Sequence, residues 1–157
     1  MKIRTNLAMN EFDRHITRVV RMHAKWLETH DYREPAYMTV GNADNYKRAE
    51  FESWELDGAK MPNADLRGAV MCDTMAIDVS LRGADLRGAD MGRMLMVNVD
   101  LSCADLRGAN MSGVHMVNVN MAGAVVDDTI FEDADLRKAN TTNVDFTYTD
   151  VSKAMLF

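Results

Sequence analysis

The chain has 157 residues, 47% apolar and 27% charged, with a net charge of −6 and two cysteines. That composition excludes a disordered chain, and the apolar runs are too short for a membrane-spanning helix. Its length suits a single domain with a small appendage.

The first residues, Met1-Lys2-Ile3-Arg4-Thr5-Asn6, lead into charged rather than apolar sequence, so no secretory signal is expected. Residues 9–27 predict an amphipathic helix. Met9, Phe12, Ile16, Val19, Val20, His23 and Leu27 gather on one face, and Arg14, Arg18, Arg21 and Lys25 line the opposite one. Asn10, followed by Asp13, is the expected N-cap. Pro35 and Gly41 mark a connecting stretch over 30–48. The head and the body differ in charge. Residues 1–48 hold nine Lys/Arg against six Asp/Glu, whereas residues 49–157 hold nine against eighteen.

From Phe51 to Leu156 every fifth residue is apolar, with Thr141 the exception among 22 such centres. Two residues before each centre stands Ala, Val or Thr, except at Trp54 and Met94. A period of five fits neither a helix at 3.6 nor a strand at 2, and it points to a solenoid. Ala64-Asp65-Leu66-Arg67-Gly68 returns unchanged at 84–88 and 104–108, so the five-residue unit is nested in a coil of twenty.

This pattern resembles the pentapeptide-repeat family, A-(D/N)-L-x-x, over about two thirds of the chain. The resemblance implies an all-β solenoid over 49–157, a right-handed quadrilateral β-helix, with residues 1–48 as an N-terminal helical cap. It also implies that the centre and the small residue before it point inward while the other three face solvent. A short helix with a segment like His23-Ala24-Lys25-Trp26-Leu27 precedes the first repeat in similar bacterial and phage proteins.

A narrow tube has room for one large side chain per face, so the centres stack in columns such as Leu66, Leu86, Leu106, Val126 and Phe146. Methionine holds seven centres and is read as core filling rather than a cofactor box. Met94 is expected to fill the space left by the small centre Ala76; a Met94 facing solvent would mean a slipped register. Trp54 is too large for its slot, so the first coil is expected to be irregular and to meet the helix there. At strand spacing of about 4.8 Å the body is roughly 26 Å long. Cys72 and Cys103 fall outside the inward positions on different faces. They are read as free thiols in a reducing, cytoplasmic setting.

The sequence stops inside a repeat, at Met155-Leu156-Phe157. A bare apolar coil favours an end-to-end homodimer through these three residues, the manner in which some family members dimerise.

No catalytic constellation is visible, and neither a cofactor nor a metal is implied. A binding role remains. Acidic side chains cluster late, at Asp127, Asp128, Glu132, Asp133, Asp135, Asp145 and Asp150, against Arg137, Lys138 and Lys153. The first function reading is a non-catalytic scaffold whose charged outer faces bind a partner protein with a basic surface. A second comes from the resemblance, since some members imitate duplex DNA and bind gyrase or topoisomerase IV, inhibiting the enzyme or protecting it from quinolones. Two bodies end to end span only about 15 base pairs at 3.4 Å each, and the central coils are close to neutral. A minor third is contact of the basic helix face with an anionic membrane. Direct nucleic-acid binding is not expected, because no aromatic residues interleave the four cations.

Overall fold

In the computed structural model, residues 6–28 and 56–156 are described. The first segment is a helix, α1 (Asn6–Leu27). The second winds into a tube whose parallel sheet contains β1 (Met75–Ile77), β2 (Leu95–Val97), β3 (His115–Asn120) and β4 (Asp135–Asn140), in that spatial order. Met75 pairs with Leu95 and Leu95 with His115, so one coil takes twenty residues. The other three faces are joined by single parallel bridges at the same interval, such as Asp65 to Asp85 to Asp105. The architecture is the right-handed quadrilateral β-helix expected.

The pentad explains each corner. The Ala69 N–H donates to the Leu66 carbonyl at 3.0 Å and closes a four-residue turn, Leu66-Arg67-Gly68-Ala69. At most corners the third turn residue takes φ above zero as the chain is redirected. Every positive-φ residue of the described chain sits two positions after a centre, and all but Arg93 and Cys103 are Gly, Asn or Asp. Remaining backbone groups pair between coils. The Leu66 N–H donates to the Asp85 carbonyl at 2.8 Å, and the Asp85 N–H donates to that of Ala64 at 2.9 Å. A polar backbone is thereby satisfied without a continuous sheet on every face.

The core is the double column of centres and small residues that the resemblance implied. Leu66, Leu86 and Leu106 are fully buried, as are Met71, Met91 and Met111. Ala69, Ala84 and Ala89 at the small positions are buried with them. Met94 is also fully buried, and the Met75–Leu95 pairing beside it stays in register, so the oversized residue causes no slip. Threonine at a small position finds an acceptor in the previous coil: the Thr129 hydroxyl donates to the Leu106 carbonyl at 2.7 Å. Phe131 and Phe146 meet edge to face, their centroids 6.2 Å apart, where two columns adjoin near the far end.

Within the described sheet, register shifts at Val117 and returns by Val119. His115 opposes Asp135 and Asn120 opposes Asn140, yet Val117 pairs with Lys138 rather than Arg137. Such an offset is a β-bulge, which re-aims the side chains beside it.

The helix departs from expectation at its start. It begins by Asn6, so Asn10 lies inside it and is not the N-cap. Leu7, Ala8 and Met9 are good helix formers and nothing among them stops the helix before Asn10. On the expected apolar face Ile16 is buried, while Val19 and Val20 pack partly buried against the same core. Ile16, Val20 and Ala24 face Met61, Pro62 and Ala64 across a shallow groove, which places α1 against the first described coil. Trp54 and the connecting stretch at 30–48 lie outside the described residues, as do the side chains of Met9, Phe12 and His23.

Candidate functional site

Each outward position has a distinct job, and the job sets the charge left over for recognition. Aspartate or asparagine one residue before a centre turns its side chain along the face and accepts the N–H one residue after it. Asp90 accepts from Gly92 at 3.1 Å, Asp100 from Ser102 at 3.0 Å and Asn120 from Ala122 at 3.1 Å. That N–H belongs to the first inner residue of the turn, which no other backbone group reaches, so the side chain acts as a local cap. Caps on neighbouring coils also join. Asn110 donates its amide N–H to Asp90 at 2.9 Å, and Asn140 donates to Asn120 at 3.1 Å.

On the face carrying Leu66, Leu86 and Leu106, the caps are aspartates and the residue across each centre is arginine. Arg67 Nε and an Nη donate to Asp65 at 2.8 Å each, and Arg87 does the same to Asp85 at 2.8 and 2.7 Å. Arg67 also stands 3.7 Å from Asp85, and Arg87 stands 3.7 Å from Asp105, so the pairs link into one ladder. The aspartate and arginine columns therefore neutralise each other. Hydrogen bonds from the Arg107 side chain hold the Asp105 carboxyl below its ordinary range despite partial burial.

Beyond Arg107 the ladder changes sign. Asp127 occupies the arginine position of the next coil and is half-buried above Arg107. Asp128 and Asp133 are exposed at the two corners that follow. Among the described residues, the carboxylates of Asp127, Asp128 and Asp133 form no salt bridge or side-chain hydrogen bond. The rest of the acidic set is engaged. Asp135 is bidentate to Arg137 at 2.8 and 2.7 Å, which lowers its pKa to about 2. Asp145 caps the Thr147 N–H and Asp150 the Ser152 N–H, each at 2.9 Å, and both carboxyls are held below their ordinary range first by the Thr147 and Ser152 side chains and then by those N–H groups. Glu132 is ion-paired with Lys153. The seven acids thus divide between three faces, and among the described residues Asp127, Asp128 and Asp133 are the three that form no salt bridge or side-chain hydrogen bond, Asp127 lying in the field of Arg107 and Asp133 in that of Lys153.

On α1, Arg14, Arg18, Arg21 and Lys25 are exposed. Lys25 is tied to Glu28 at 2.8 Å. Among the described residues no helix is long and apolar enough to cross a membrane, and no cluster of His, Cys, Asp or Glu is arranged to hold a metal ion. Cys72 is half-buried and Cys103 exposed, and neither is in a disulfide. At the far end Met155 is exposed and Leu156 half-buried, and Phe157 lies outside the described residues.

One surface escaped the sequence reading. On the face of β1 to β4, Met75, Leu95 and Val117 are 39%, 37% and 39% exposed, with Ile77 and Val97 half-buried beside them. The signal was present as Met75-Ala76-Ile77 and Leu95-Met96-Val97, apolar on both sides of the centre where other faces carry polar residues.

A family model for pentapeptide repeats matches the chain in overlapping stretches at 55–93, 77–113, 100–137 and 120–156. The protein belongs to the pentapeptide-repeat family. Among solved structures it is similar to a pentapeptide-repeat protein from the Arabidopsis thaliana thylakoid lumen, at 19% identity and a TM-score of 0.40, covering 70% of this chain and 72% of that one. It is similar to HetL of Nostoc sp. strain PCC 7120, a protein involved in heterocyst differentiation regulation, at 20% identity and a TM-score of 0.33, covering 69% and 65%. It also resembles QnrB1, a plasmid-mediated fluoroquinolone resistance protein, at 17% identity and a TM-score of 0.34, covering 70% and 83%. At these values the likenesses concern the coil alone and carry no functional argument. No curated protein matches the chain by sequence.

Proposed function

We propose that this protein is a non-catalytic scaffold that binds a partner protein with a basic surface, using the outer walls of its C-terminal coils. The supporting observation is the switch from a neutralised Asp–Arg ladder through Arg107 to the unpaired carboxylates of Asp127, Asp128 and Asp133. Unpaired carboxylates on a rigid wall attract a basic surface without first breaking an internal ion pair, and they raise the rate of encounter. A cytoplasmic setting and an end-to-end homodimer through Met155, Leu156 and Phe157 belong to the same proposal.

The experiment is capture of a binding partner by the full chain, repeated with Asp127→Lys/Asp128→Lys/Asp133→Lys. A partner whose retention falls with salt and disappears with the triple variant supports the scaffold. A partner held equally by both forms refutes the acidic-wall reading.

A type II topoisomerase is one such basic-grooved partner, and DNA mimicry is the alternative. Against it stands the ladder: Asp65, Asp85 and Asp105 are each masked by arginine, so the central coils do not reproduce a run of phosphates. A gyrase supercoiling assay separates the two. Unchanged supercoiling favours the scaffold, and inhibition reassigns the protein to mimicry.

A further inference from the structure

We infer that a groove beside Tyr148 seats an arginine side chain of the basic partner, an inference that rests on the scaffold reading above. The groove, about 400 Å³, is lined by Asp128, Ile130, Glu132, Tyr148, Asp150 and Lys153. It forms where two adjacent coils meet at a corner, and the Asp128 N–H donates to the Tyr148 carbonyl at 3.0 Å to hold that corner together.

Its composition departs from the repeat in two places. Ile130 occupies the position where Asp90 and Asn110 act as caps in the preceding coils, and its side chain is 49% exposed. Tyr148, at the corner position usually held by Gly, Asn or Asp, is 71% exposed. An exposed aromatic ring and an exposed isoleucine next to three carboxylates are costly on a free surface and suited to a guest that is cationic at its tip and apolar along its stem. The volume accommodates one long side chain rather than a folded domain.

The groove's own chemistry names the sign of the guest. Glu132 already pairs with the Lys153 ammonium inside it. Asp128 has no side-chain partner among the described residues, and Asp150 engages the Ser152 N–H. A second cation therefore meets the Asp128 carboxylate, what acceptor capacity Asp150 has left beside Ser152, and the exposed Tyr148 side chain. Guanidinium suits this better than ammonium, because it is planar, weakly hydrated and able to stack on the ring while donating sideways.

The test is a fluorescence-anisotropy titration of the full chain with a labelled oligo-arginine peptide, beside an oligo-lysine peptide of equal charge. Wild type is expected to bind the arginine peptide more tightly. Tyr148→Ala should weaken it by about two- to fivefold, the range a surface cation–π contact supplies, and should erase the preference over lysine. Lys153→Met frees Glu132 and should tighten arginine binding, while Lys138→Met, which removes the same charge elsewhere, should do so distinctly less. Thermal melts by circular dichroism establish that each variant is folded. If Tyr148→Ala and Lys153→Met behave like wild type while Asp127→Lys/Asp133→Lys abolishes binding, the groove is refuted and the acidic-wall reading survives. If wild type binds neither peptide, both fall.

Discussion

The Arg87 guanidinium grips the carboxylate of Asp85, two residues before it, while the same carboxylate accepts the Arg87 backbone N–H at 3.3 Å. One aspartate thus serves as turn cap and ion-pair partner, and the two roles are separable. Asp85→Asn keeps an acceptor for the N–H, as Asn120 does for Ala122, and loses the partly exposed ion pairs to Arg87 and, at 3.7 Å, Arg67. Its cost is expected to be about 0.5 kcal/mol. Asp85→Ala loses both roles and should cost about 1–2 kcal/mol, read from urea denaturation. Equal costs would mean that the cap contributes nothing.

Acid should weaken the fold through the same carboxylates. Asp105 and Asp135 have folded pKa values below the unfolded value of about 3.9, Asp135 at about 2. A depressed carboxyl contributes stability above the unfolded pKa and loses it as pH falls toward the folded one. Melting temperature should therefore hold steady from neutral pH to about 5 and then fall toward pH 2. Asp135→Asn should flatten part of that fall and leave the neutral plateau nearly level. A melting temperature that rises on acidification through this window contradicts the assignment.

Two corner glycines with the same backbone should respond differently to a methyl group. Gly83 and Gly108 have φ of +66° and +65°, so alanine is strained at both by about 1–2 kcal/mol. At Gly83 the new Cβ would stand 2.5 Å from Asn63 Oδ1, whereas at Gly108 nothing lies within 4 Å. Gly83→Ala should be the more destabilising in a denaturation series, unless Asn63 moves aside without cost.

Cys103 takes a left-handed corner, φ +57°, that most pentads give to Gly, Asn or Asp. Asparagine adopts this conformation more readily than other side chains. Cys103→Asn is expected to stabilise the protein by about 0.5 kcal/mol, measured as a higher urea midpoint at unchanged slope. A lower midpoint would show that the thiol is doing more than filling a corner.

The pentad register was legible because burial imposes a strict period: Leu66, Leu86 and Leu106 must face the same lumen. The corners were legible in principle too, since Gly68, Asn98 and Asp128 mark the left-handed position, but that code emerges only once the four-residue turn is known. The cap role of Asp90 and Asn110 was hidden for the same reason, as an aspartate in a repeat reads first as surface charge. Lys138 could not be placed, because its bulge follows from how two coils fit rather than from either pentad. The helix start was misplaced at Asn10 because a residue with cap chemistry need not end a helix whose preceding residues also favour it. The acidic cluster was visible as a count, but its division into paired Asp135 and unpaired Asp128 required the coil geometry.

The winding itself is tested by removing one coil. Deleting residues 85–104 should join Ala84 to Asp105 with every face still in line, because coils repeat at twenty residues. The shortened protein is expected to unfold cooperatively in urea, with a smaller denaturant slope in keeping with its size. A deletion three residues shorter should destroy the native circular-dichroism spectrum by turning the core columns outward. An unfolded product from the whole-coil deletion, or equal tolerance of both, would contradict the four-sided tube.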